Sequence, residues 1–251
     1  MMSSSLKEGV WSEHQTVKAH QIGPGYKMKP STISEIFQEV AGNHSNAEKF
    51  GLREMMKNGH AWVLGSLKYE VKKWPKWTED LHITTWVYDV QKLSSQRNFL
   101  IKDDKGNVII QGSSIWFGID LRRRRPIMIT EFMDKVTQRD DLNTLEKPSK
   151  LKPPSSKDFE SKRKVVYSEL DPVNHVNNIK YFDWMLDSIP HSFKSKKLVE
   201  VEINYLSEVI LDQEVDVITE QQQSENGYHL ITGIYKEDKP ACIIHTKWEL
   251  I

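Results

Sequence analysis

The chain has 251 residues, 38% of them hydrophobic and 28% charged, and its 35 Lys+Arg balance 35 Asp+Glu to a net charge of +0. That composition fits one large or two small globular domains rather than a disordered chain, and zero net charge supplies no bulk attraction to nucleic acid or a membrane surface. The single cysteine, Cys242, excludes an intrachain disulfide and a cysteine-rich zinc site, and suits a reducing cytoplasm.

The first residues, MMSSSLKEGVWSEHQ, lack the apolar core of a secretory signal. No run of about 18 apolar residues follows anywhere, so no transmembrane helix is expected. The first predicted element is a helix in PSTISEIFQEVAGNHSNAEKFG. Thr32 and Glu35 read as a capping box, and Ile33, Ile36, Phe37, Val40, Ala41 and His44 share one helical face, His44 as a satisfied core histidine. Four segments rich in Val, Ile, Thr, Trp and Tyr are predicted strands, at 61–71, 80–90, 95–103 and 107–119. Asp104-Lys105-Gly106-Asn107 is the turn between the last two. Arg122, Arg123, Arg124 and Arg125 then form a basic run closed by Pro126. It reads as a solvated loop or as a docking surface for an acidic partner. Residues 144–162, TLEKPSKLKPPSSKDFESK, read as a linker.

The second half repeats the first: a strand at 163–168, a helix at 175–189, and strands near 198–207, 213–223, 227–237 and 241–250. IKDDKGNVIIQGSSIWFGI (101–119) is echoed by YKEDKPACIIHTKWELI (235–251), each placing a tryptophan, Trp116 or Trp248, in its second strand. The shared order of elements implies duplication. A helix followed by an antiparallel sheet buries one sheet face by having the sheet wrap round the helix. The domains read from this pattern are 1–143, a linker at 144–162, and 163–251.

Chemistry concentrates in LDPVNHVNNIKYFDWMLDSIP, residues 170–190. Asp171, Asn174, His175, Asn177 and Asn178 cluster where an apolar face of Ile179, Phe182, Met185, Leu186 and Ile189 begins. Free N–H groups and the positive dipole end at a helix start suit a developing oxyanion. Asp171 is placed to cap the helix or to orient His175. Asn177 and Asn178 are placed to satisfy backbone groups or to touch substrate. Trp62 and Trp86 are candidates to line an apolar pocket. No H-x-x-x-H, H-E-x-x-H, phosphate-loop, G-x-G-x-x-G or G-x-S-x-G motif is present, so neither a metal nor a nucleotide cofactor nor a serine elbow is indicated.

These motifs resemble those of the acyl-acyl-carrier-protein (acyl-ACP) thioesterases, the family of the plant fatty-acyl-ACP hydrolases and their bacterial relatives, and the chain reads as a bacterial member. The resemblance rests on EVKKWPKWTEDLHITTWV (70–87), SSIWFGIDLRRRRP (113–126) and DPVNHVNNIKYFDW (171–184). It implies an α+β double hot-dog fold and hydrolysis of fatty acyl-ACP in fatty acid biosynthesis. The family's active-site segment reads D-x-N-x-H-V-N-N. Asp171, His175, Val176, Asn177 and Asn178 match it, while Val173 stands at the first Asn position, with Asn174 one place later as its substitute. NYLSEVIL (204–211) matches the family's following Tyr and Glu through Tyr205 and Glu208, with Val209 where a cysteine is frequent.

The residues so implied are Asp171, Asn174, His175 and Glu208 for catalysis, Asn177, Asn178 and Trp62 for substrate, and Arg122–Arg125 for carrier docking. Water attack with Glu208 and His175 as the base system is the mechanism that follows. Cys242, in the last strand, reads as a core residue. The implied partner is an acyl carrier protein bearing a fatty acyl-phosphopantetheine, with no nucleic acid or membrane partner and no cofactor, for a cytoplasmic monomer or homodimer. An acyl-CoA thioesterase, a non-catalytic acyl-binding protein and a dehydratase of the same fold are the alternatives; acyl chain length is not legible.

Overall fold

The computed structural model describes residues 4–134, 136–142 and 144–250. The chain forms two compact units, Met1–Pro148 and Ser149–Ile251. The first contains β1 (Ser4–Lys7), β2 (Val10–Thr16), α1 (Pro30–Ala47), α2 (Leu52–Lys57), β3 (His60–Val71), β4 (Asp80–Val90), β5 (Ser94–Lys102), β6 (Val108–Asp120), β7 (Arg125–Pro126) and α3 (Thr130–Met133). Its antiparallel sheet runs β1-β2-β4-β5-β6-β3, with β7 beside β6. The four predicted strands are present within a residue or so. β1 and β2 were not predicted. They are largely exposed or half-buried, and their polar residues give little alternating signal.

The predicted face of α1, Ile33 through His44, is buried. Its predicted capping box does not form. Pro30 occupies the first helical position and Lys29 is an extended N-cap with no side-chain cap bond. Proline's fixed φ pre-sets the first turn and lacks only an N–H that would be orphaned there, so the helix starts ahead of Thr32, which is buried instead. Phe37 lies flat on Phe99 of β5, centroids 4.3 Å apart. It also comes so close to β6 that a Cβ on Gly112 would sit 2.5 Å from its Cε2; the glycine lets the sheet close around the helix. At the β5–β6 turn, Asp103 accepts from the Lys105 and Asn107 N–H groups and Gly106 adopts φ +82°.

The second unit contains β8 (Phe159–Lys164), α4 (Asn178–Ser188), α5 (His191–Lys194), β9 (Lys197–Tyr205), β10 (Glu214–Ser224), β11 (Gly227–Lys236) and β12 (Lys239–Glu249). Its order, β8-β10-β11-β12-β9, repeats β2-β4-β5-β6-β3 of the first unit strand for strand. Each unit is a hot-dog: an antiparallel sheet around one main helix. The buried face of α4 is Tyr181, Phe182, Trp184 and Met185, with Ile179 and Leu186 only half-buried. The face is thus rotated from the predicted one, because both large aromatic heads find polar partners inside.

The stretch read as a linker is not free chain. Strands alternate their side chains, so Val201 and Ile203 are buried on one face of β9 and Glu202 and Asn204 lie on the other. There Glu202 accepts from Ser149 N and Oγ, and Asn204 accepts from Leu151 N at 2.9 Å. Glu220 of β10 accepts from Ser155 N and Oγ at 2.5 and 2.9 Å. Residues 149–158 therefore strap the sheet, and the following residues, Phe159 onward, begin β8 rather than ending a linker. Composition marks this stretch as loop, but the acceptors that hold it lie far along the chain.

Candidate active site

Asp171 to His175 closes on itself. The Asp171 Oδ1 accepts the N–H groups of Val173 and His175, both at 2.9 Å, while Asp171 N–H donates to His175 O at 2.7 Å. Asn174 sits at the tip with φ +65°, a left-handed conformation that asparagine tolerates. The closed loop is stitched to the segment after β9: Val176 N–H donates to Val209 O at 2.8 Å and His175 bridges Ile210. Glu208 belongs to that segment, and so His175 Nε2 stands 3.4 Å from Glu208 Oε2. The two side chains are 22% and 40% exposed, which leaves them open to a substrate.

The Glu208 carbonyl is itself held by Lys236 Nζ at 2.8 Å. Tyr181, deep in α4, takes a hydrogen bond from the Val209 backbone, and burial pushes its phenol well above the ordinary range, so it is a neutral strut. Glu208 is thus fixed from both sides by residues that sequence reading did not single out.

The N-cap of α4 is Asn177, whose Oδ1 accepts from Ile179 N–H at 3.2 Å. Asp171 caps no helix; its acceptor is spent on its own loop. Ending two residues upstream of that loop's start, the 3-10 turn Tyr167–Glu169 carries a further residue missed in the sequence. Glu169 is 7% exposed and accepts from Trp184 Nε1 at 2.7 Å, Arg163 Nη2 at 3.0 Å and Val166 N–H at 3.0 Å, while its own carbonyl receives Asn177 N–H at 2.9 Å. The Arg163 guanidinium also lies over the Trp184 ring at 5.3 Å. A glutamate just before L-D-P was the signal, legible only with its distant partners.

Of the predicted site residues, the structure brings together Asp171, His175 and Glu208, with Asn177 and Asn178 at the start of the adjoining helix. Asn174 and Val173 are exposed, and among the described residues no side-chain hydrogen bond places the Asn174 amide. Tyr205 Oη donates to Asn178 O at 3.3 Å. Cys242 is fully buried, and burial raises its thiol pKa, which suits a core residue and not a nucleophile.

In the first unit, Trp62 donates to Phe50 O at 2.8 Å and borders a cavity of about 250 Å³. Trp86 is 2% exposed and does not border it. The four arginines are exposed at the turn after β6. The Arg123 N–H, with the Arg122 N–H beside it, donates to Asp120 and holds that carboxyl below its ordinary range.

Two family models match the chain: the acyl-ACP thioesterase N-terminal domain over residues 8–136 and the acyl-ACP thioesterase C-terminal domain over residues 152–250. The chain belongs to the acyl-ACP thioesterase family. A chloroplastic acyl-(acyl-carrier-protein) hydrolase of Cuphea viscosissima is 28% identical over 240 residues, 88% of this chain and 58% of that protein. The dodecanoyl-(acyl-carrier-protein) hydrolase of Cinnamomum camphora is 27% identical over 220 residues, 81% of this chain and 57% of that one. The chain therefore spans somewhat over half the length of these relatives.

The crystal structure of an acyl-ACP thioesterase from Bacteroides thetaiotaomicron superposes with a TM-score of 0.86 at 24% identity, covering 97% of this chain and all of that one. The 12:0-ACP thioesterase of Umbellularia californica superposes at 0.83 and 20% identity, covering 98% and 99%. These superpositions establish for this family member the double hot-dog fold implied by its sequence. Among its described residues no helix is long and apolar enough to cross a membrane.

Proposed function

We propose that this family member hydrolyses the thioester of a fatty acyl group carried on acyl carrier protein, releasing free fatty acid and the carrier's thiol. The observation that carries the reading is the approach of His175 Nε2 to Glu208 Oε2, 3.4 Å, in an open site. Water adds to the thioester carbonyl, its proton passing to the Glu208–His175 pair. The tetrahedral intermediate collapses, the C–S bond breaks, and the leaving sulfur is protonated by the same pair. Asn177 commits its oxygen to the helix cap, so its amide N–H groups are turned to donor duty toward the oxyanion. Asp171 acts by shaping the loop that presents His175. Asn178 and Asn174 border the substrate path, and Trp62 borders the acyl cavity.

The exposed Arg122–Arg125 turn is the docking surface for the acidic carrier, an assignment supported by its charge. Hydrolysis places the protein in fatty acid biosynthesis, and its free thiol, Cys242, suits the cytoplasm. The relatives are named as acyl-carrier-protein hydrolases, which favours the carrier over coenzyme A.

Thiol release from C8–C18 acyl-ACPs and the matching acyl-CoAs tests this. The expected result is faster release from the carrier. Glu208→Gln and His175→Ala each lower kcat by about 10²- to 10⁴-fold. Bound acyl chains with intact thioesters would overturn the reading in favour of a binding protein, and equal rates with coenzyme A would overturn the carrier assignment.

A further inference from the structure

The cavity of the first unit has a mostly apolar wall, with Ala41, Phe50, Leu52, Trp62, Trp116 and Met133 among its residues. One charged group stands in that wall. Arg97 of β5 is 4% exposed and donates from Nη1 to His44 Nδ1 at 2.8 Å and to Thr85 Oγ1 at 3.1 Å. Its remaining N–H groups have no protein acceptor among the described residues. Most of the neighbouring polar groups are already engaged: Gln38 Nε2 with Ser34 O, Ser45 Oγ with Gly42 O, Ser95 Oγ with Asp89 O, Trp62 Nε1 with Phe50 O, and Trp116 Nε1 with Ser114 Oγ; Asn46 also lines the wall. Donors that face a cavity of this size are met by water until a ligand displaces it, and a chain that displaces the water without supplying an acceptor leaves them unpaired at a cost.

The acceptor's charge can be read from what stands behind Arg97. His44 is fully buried on α1, and its Nε2 faces Glu48 Oε2 at 3.6 Å. Burial lowers the His44 pKa, so the ring is neutral and its Nδ1 accepts from Arg97. Burial also pulls the Arg97 pKa down to about 9, still cationic near neutral pH. Glu48 thus provides a counter-charge for Arg97 across the imidazole. A ligand carboxylate would add a second, uncompensated negative charge to this buried line; a neutral oxygen would not.

We propose that this cavity selects an acyl chain bearing a neutral oxygen function, a hydroxy or oxo group, whose oxygen accepts a hydrogen bond from Arg97. The inference rests on the reading of the protein as an acyl thioesterase and names the substrate class of that activity. An unsubstituted chain leaves the Arg97 donors dry; an oxygen at the matching carbon satisfies them.

The test separates binding from hydrolysis. Ten-carbon acyl-pantetheine analogues with an amide in place of the thioester are titrated against the full chain, following fluorescence that includes Trp62 and Trp116. The series is unsubstituted, oxo or hydroxy at each of C3 to C9, and carboxylate-ended. The expected result is a preference of about 10- to 100-fold for oxygen at one position. That preference falls to near unity in Arg97→Met and is partly restored in Arg97→Lys. The corresponding acyl-ACP thioesters show the same ranking in kcat/KM.

Oxygenated analogues that bind through Arg97 while no thioester is cleaved would leave this inference standing and remove the hydrolase reading. Hydrolysis with no oxygen preference at any position would do the reverse. Tightest binding of the carboxylate-ended chain would overturn the neutral-oxygen assignment. Should Arg97→Met fail to fold, the wild-type ranking alone decides: a flat series overturns the proposal.

Discussion

On the proposed reading, Asp171 serves the site through the backbone rather than by touching the reacting atoms. Its Oδ1 holds the Val173 and His175 N–H groups, and its own N–H holds the His175 carbonyl. The backbone of His175 is fixed, and the ring is aimed by where that backbone points. On that reading Asp171 is a positioning residue, with a test that tells shape from charge. Asn keeps an acceptor oxygen at the same place, and Ala keeps none. Asp171→Asn is expected to retain most of the thioesterase rate and its KM. Asp171→Ala leaves two N–H groups unpaired, lowers stability by about 1–3 kcal/mol, and reduces kcat more than it raises KM. Equal loss in both variants, measured by steady-state hydrolysis and urea unfolding, would mean that the negative charge itself acts on the imidazole.

At the level of elements, the turn at Tyr167–Glu169, strand β8 and helix α4 meet on one buried carboxylate. Glu169 joins Arg163, Trp184 and the Val166 backbone, and its carbonyl seats Asn177, the cap of α4. Removing Glu169 strands the Trp184 Nε1–H and the Val166 N–H, while Arg163, 29% exposed, keeps Asp187 at 3.1 Å. Glu169→Ala is expected to cost about 1–3 kcal/mol, and Glu169→Ala combined with Arg163→Met less than the sum of the single changes. Urea titrations of the four chains give the coupling directly. Additive losses would show that Trp184, not Arg163, is the partner that matters.

What the sequence made legible follows the same division. The apolar face of α1 and the main strands of both units are set by local periodicity, and they were readable. The start of α1 was misread because Thr32 and Glu35 mimic a box that Pro30 pre-empts. The cap of α4 was left open between residues because Asp171 and Asn177 are both good acceptors, and only the loop closure shows which is spent where. His175 stood out in its polar cluster at the helix start, while Glu208 entered through family likeness; Glu169, Tyr181 and Lys236 act through partners remote in the chain, for which a single sequence carries no mark.

Across the whole chain, the groups whose titration is displaced by folding set its acid limit. Burial lowers the pKa of His44 and His82 in the first unit and of His229 in the second; Arg97 adds to it at His44, His14 and Lys102 at His82, and His245 and Lys247 at His229, while Glu48 opposes it at His44 and Glu200 and Glu220 at His229. The unfolded chain protonates these rings near 6.5 while the folded chain resists. Below that pH the unfolded state binds more protons, so stability falls as pH drops through 6.5 toward the folded values.

Glu220 acts in a second, lower window. The Ser155 N–H, with the Gln222 amide behind it, holds its pKa down to about 2. The stability it adds is complete above its unfolded value near 4.5 and is lost as pH falls from there toward 2. Urea midpoints between pH 8 and 3 should therefore decline in two stages. His44→Gln with His229→Gln should flatten the upper one. Glu220→Gln should cost about 1–3 kcal/mol at pH 7, the worth of hydrogen bonds to a charged acceptor, and flatten the lower one, because its amide holds the strap without titrating. A lower stage that is undiminished in Glu220→Gln would mean that it arises instead from Asp103, Asp120 and Asp141 of the first unit, whose carboxyls are also held below their ordinary range.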